Sequence, residues 1–71
     1  MRKILIFATS PRDAIVKCRE LGVEFESVLW VMNYQLLGGM DVSDFEVHYT
    51  NAFRLVPAFA EAFDNLGDGA R

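Results

Sequence analysis

Between residues 28 and 49, apolar and polar positions alternate on both sides of a glycine pair, Gly38-Gly39. That pattern predicts a β-hairpin with a two-residue turn, in which Val28 opposes Tyr49, Trp30 opposes Val47 and Met32 opposes Phe45. These six side chains would share one face of the sheet, and Leu29, Val31, Asn33, Asp44, Glu46 and His48 the other. A slip of one residue would scatter the aromatics over both faces, so this register or one of equal parity is expected.

Residues 3–8 form a continuous apolar run rich in β-branched side chains, the pattern of a strand covered on both faces. Ile4 and Ile6 would face one way, Leu5 and Phe7 the other. Next comes a helix with a full set of end signals. Ser10 is placed to cap it, Pro11 to occupy its first position, Asp13 to complete a weak capping box and Gly22 to close it in a left-handed conformation. Ala14, Ile15, Cys18 and Leu21 make its apolar stripe, and Asp13 and Lys17 are spaced for a favourable pair. Beyond residue 49 two patterns compete. Phe45, Val47, Tyr49, Phe53 and Leu55 alternate as a strand would, whereas Ala52, Val56, Phe59, Phe63 and Leu66 fall on one helical stripe. A strand ending near Thr50 is expected, then a helix that either bends at Pro57 or starts there. Gly67 stops it, leaving 68–71 as a frayed tail.

The resulting order is β-α-β-β-α in a single domain over 1–67. The expected architecture is an α/β two-layer sandwich: a three-stranded mixed sheet with both helices on one face, like a ferredoxin-like fold lacking its last strand. Two consequences follow. One apolar row of the first strand would lie on the uncovered face with Leu29 and Val31. The first strand would also be an open edge. Alternatively, the segment 34–43 or the C-terminal tail folds back over that face as a lid, and no partner is needed to cover it.

Composition narrows the functions open to such a domain. The chain has 71 residues, seven basic against ten acidic, and a net charge of −3. Binding nucleic acid through its backbone needs a dense cationic surface, so a nucleic-acid partner is not expected. Burial gains of about 100 kcal/mol are nearly cancelled by an ordering cost of about the same size, so a lone chain is marginal and a partner surface would help. One cysteine, Cys18, excludes an internal disulfide and a cysteine-based zinc cage. No run reaches the length of a membrane span, and the apolar start is too short for a signal peptide, so no membrane association and a cytoplasmic location are expected.

Candidate chemistry is sparse. Thr9, Ser10 and Arg12, between the first strand and first helix, offer hydroxyls, backbone N–H groups and a guanidinium for a phosphate or carboxylate. The loop lacks the glycines of a phosphate-binding fingerprint, Asp13 would repel an anion, and helix capping alone accounts for most of it. His48, the only histidine, has Glu46 near it but too few converging ligands for a metal. Cys18 reads as core. The aromatics Phe7, Trp30, Tyr34, Phe45 and Tyr49 are flanked by acids, not by the lysines and arginines that accompany base stacking. No cofactor is implied. The expected function is a non-enzymatic protein-interaction module, probing a protein partner or a second copy through Leu5, Phe7, Leu29 and Val31, with Glu46 and His48 at the rim. The alternative is a small ligand-binding domain holding a nucleotide or other anion at Thr9, Ser10 and Arg12.

Overall fold

In the computed structural model, which describes residues 3–67, the central element is β1 (Lys3–Phe7). It is flanked by β2 (Leu29–Val31) on one side and β3 (Phe45–Tyr49) on the other, giving a three-stranded sheet in the order β2-β1-β3. Both pairings are parallel. Phe7 is level with Val31 in β2 and with Tyr49 in β3. Two helices, α1 (Pro11–Leu21) and α2 (Ala58–Leu66), complete a small α/β fold. The tail expected at 68–71 lies outside the described residues.

The continuous apolar run of β1 fits its central place, where segments packed on both sides of the sheet bury both of its faces. Leu5, Ile6, Phe7 and Ala8 have no exposed surface. Ile4, Ile6 and Ala8 join Ala14 and Cys18 of α1 in one core. Leu5 and Phe7 join Val31, Leu37, Val47, Tyr49, Phe53 and Ala62 of α2 in the other. The helices therefore lie on opposite faces, not on one. The chain moves from β1 to β2 in one direction and then back past β1 to β3. With crossovers of constant right hand, reversing the direction of travel reverses the face that is covered.

The expected hairpin is not present: β2 and β3 never touch as partners, and neither Val28 and Tyr49 nor Trp30 and Val47 nor Met32 and Phe45 are paired. The turn at its centre nevertheless forms. Gly38 and Gly39 both have positive φ, 60° and 81°, and the Met40 N–H donates to the Leu37 carbonyl at 2.9 Å. That is type I′ geometry. What differs is the flanking chain, because Asn33 caps a 3-10 turn at Tyr34–Leu37 by accepting from the Leu36 N–H. This segment folds over the Leu5/Phe7 face with Leu37 buried and Tyr34 and Val42 packed against the core. It is the lid.

The first helix follows its sequence signals. The Ser10 hydroxyl accepts from the Asp13 N–H at 3.1 Å, Pro11 leads, and Gly22 closes the helix at φ 72°. The expected Asp13–Lys17 pair does not form, since Lys17 reaches Glu20 at 3.2 Å and Asp13 is engaged elsewhere. After β3 the Thr50 hydroxyl caps a 3-10 turn, Phe53–Leu55, by accepting from the Phe53 N–H at 3.0 Å. The last helix then starts after Pro57 and ends at Gly67, whose carbonyl accepts from the Tyr49 hydroxyl at 2.8 Å.

Candidate functional site

The four residues expected at the centre of a contact surface are not available for one. Leu5 and Phe7 are fully buried, Val31 is nearly so, and Leu29 is half-buried against the same core. The Phe7 ring stacks on Tyr49 and lies tilted against Phe53, at 5.3 Å each, and Phe59 meets Tyr49 edge-on at 5.1 Å. With the 3-10 turns and α2 laid over it, this face is interior. The first strand is likewise no open edge, because both of its edges are paired.

Glu46 and His48 lie on the other face, beside Ile4 and Ile6 and not at the rim of the Leu5/Phe7 face. Alternation along β3 brings them together: His48 Nε2 and Glu46 Oε2 are 2.6 Å apart and partly buried. Thr50 continues the same row. A hydroxyl, an imidazole and a carboxylate in line would suit nucleophilic catalysis only if the imidazole held the hydroxyl proton. Here the Thr50 hydroxyl donates to Asp13 instead. No described group of three or more histidines, cysteines or carboxylates is placed to hold a metal ion.

Asp13 is the organising residue of the strand ends. The order β2-β1-β3 puts a topological switch point between the carboxyl ends of β1 and β3, where ligands bind in open parallel sheets. Thr9, Ser10 and Thr50 sit there. The Thr9 N–H and hydroxyl both donate to Asp13 Oδ2, at 2.9 and 3.2 Å, and the Thr50 hydroxyl donates to the same oxygen. Asp13 thus occupies the position an anion would take, and spends the donors that an anion would need. Arg12 points away into solvent as an exposed side chain. Sequence reasoning used Thr50 only to mark the end of a strand, and nothing in the spacing of residues 37 apart signals this bond.

Cys18 is buried on the α1 stripe. Burial first, and the negative charge of Glu26 second, push its thiol above the ordinary range, so it is held as the unreactive neutral form. No described helix is long and apolar enough to cross a membrane.

What the sequence reading missed lies on the surface. Leu55 is 86% exposed and Leu36 is 60% exposed, the two largest values among the described big apolar side chains. Met32 and Met40, on either side of Leu36 along the β2–β3 connection, are about half exposed. Next to Leu55, the Arg54 guanidinium lies 5.4 Å from the rings of both Tyr49 and Phe59. At the opposite end of β3 is a cavity of about 240 Å³. Its inner wall is the buried Val47 with half-buried Tyr34, Val42 and Leu66, and Asp41 and Ser43 stand exposed at its mouth. Asp41 accepts from the Ser43 N–H at 3.0 Å, and hydrogen bonds from Ser43 hold its carboxyl below the usual range.

No protein-family model matches the chain, and comparison with curated proteins and with solved structures gives no match. The functional reading therefore rests on the geometry.

Proposed function

We propose that this chain is a small, non-enzymatic interaction module that works by binding protein, a second copy of itself foremost. The observation that carries the reading is the exposure of Leu55 and Leu36 in a domain whose two cores are already closed. Neither residue contributes to either core, so folding does not require them to be leucine. An exposed apolar side chain is common, but here the most exposed ones are large, and methionines flank Leu36. The net charge of −3 favours a partner other than nucleic acid.

Light scattering across a dilution series tests this directly. The expected result is a mass above that of one chain at high concentration, falling on dilution. Leu36→Asp and Leu55→Asp are each expected to keep the wild-type circular dichroism while lowering the association. A wild-type mass of one chain at every concentration, with no change on mutation, would sink the self-binding reading.

A further inference from the structure

We propose that association is reciprocal: Leu55 of one copy enters the cavity between Tyr34 and Leu66 of another, and Arg54 meets Asp41 at its mouth. The inference rests on the interaction reading above and names its partner and its seat. Three observations converge on it.

The first is shape. Leu55 is the most exposed of the described large apolar residues, and it stands on a short 3-10 turn that fixes its backbone. Its N–H donates to Ala52 and the Val56 N–H to Phe53, so the projection is built and not a loose end. The cavity, about 240 Å³ and walled by Tyr34, Val42, Val47 and Leu66, has room for one such side chain. Moving such a side chain from water into an apolar wall strengthens binding by about tenfold or more.

The second is charge. Arg54 adjoins Leu55 in sequence, and none of the described carboxylates is within ion-pair distance of it. Its guanidinium is held against two aromatic rings, which orders it while leaving its N–H edge able to donate. Asp41 is exposed at the cavity mouth, ionised and oriented by Ser43, and none of the described cations pairs with it. An apolar anchor beside a cation thus faces an apolar cavity beside an anion.

The third is placement. Ser43 precedes β3 and Leu55 follows it, so the seat and the projection are at opposite ends of a strand about 16 Å long. Two copies lying side by side and antiparallel can then exchange both contacts at once, an isologous pair that closes as a dimer.

The test uses the chain as it stands and variants altered only at exposed positions. Leu55→Asp removes the projection and leaves the cavity; Ser43→Trp blocks the cavity mouth and leaves the projection. Each alone is expected to weaken self-association by more than about tenfold. Mixed at equal amounts, they are expected to recover a one-to-one pair held by a single contact. Arg54→Asp is expected to weaken association about fivefold or more, with recovery when Asp41→Arg is added in the same chain. If the wild type associates but Ser43→Trp leaves association unchanged, or the mixture stays dissociated while both variants are folded, the seat is wrong although the interaction reading stands. If the wild type never associates, the reading itself falls and this inference with it.

Discussion

Asp13 shows how one side chain can decide what a loop does. Three donors, from Thr9 and Thr50, converge on one of its oxygens, so a strand-helix junction of the kind that binds anions elsewhere is satisfied from within. Thr50 is the costlier partner to lose. It is 4% exposed, and its oxygen also accepts from the buried Phe53 N–H, so Thr50→Val leaves that N–H without its partner where water has poor access and takes one donor from Asp13. A loss of about 1–3 kcal/mol is expected in urea unfolding. Thr9→Val removes a bond from an exposed hydroxyl, and water can replace it, so a change within about 0.5 kcal/mol is expected. Equal losses at the two positions would mean that burial does not govern the network. At this scale the sequence was least informative: Ser10, Pro11 and Gly22 act through their immediate neighbours and were legible, whereas the Asp13–Thr50 bond joins residues that only the folded sheet brings together.

At the scale of elements, local rules held wherever the signal and its satisfaction lie within a few residues. Gly22 sits at φ 72° and ψ 31°, and a methyl group there would meet nothing within 4 Å. Gly22→Ala therefore tests backbone strain alone, and a loss of about 1–2 kcal/mol is expected by thermal or denaturant unfolding. Gly22→Asn should lose less, because asparagine tolerates the left-handed region. An alanine variant as stable as wild type would show that the helix end does not need that conformation. The glycine pair at 38–39 is the instructive contrast. Its φ values are those a hairpin turn requires, yet the turn joins a 3-10 segment to an irregular loop and not two paired strands. Turn chemistry specifies a reversal of the chain over four residues. It does not specify what the arms on either side will pair with.

For the molecule as a whole, the decisive fact is that both faces of the sheet are covered, one by α1 and the other by the 34–43 segment with α2. Residues that would be a contact surface on a half-covered sheet are here core. Val31→Asp places a charge at a position 8% exposed within the larger core, and is expected to leave the chain largely unfolded, as read by circular dichroism and one-dimensional NMR. A folded Val31→Asp variant that had lost only its association would return the contact surface to that face. Leu36→Asp and Leu55→Asp are the counterparts on the outside and should separate binding from stability.

The sequence by itself determined the elements with local causes: a first strand apolar on both sides, a capped first helix, a last helix bent or begun at Pro57, and a tight turn at the glycine pair. It also determined the α/β class. Tertiary structure decided the strand directions, the opposite placement of the two helices and therefore every surface. An apolar run such as residues 4–8 states that two faces must be buried, but not by which segments. The alternation of 45–49 fits an antiparallel partner and a parallel one equally well, because side chains alternate in either case. The choice fell to the burial of both faces of β1, which a hairpin with two helices on one side leaves half undone and which strands on both edges with cover on both faces complete.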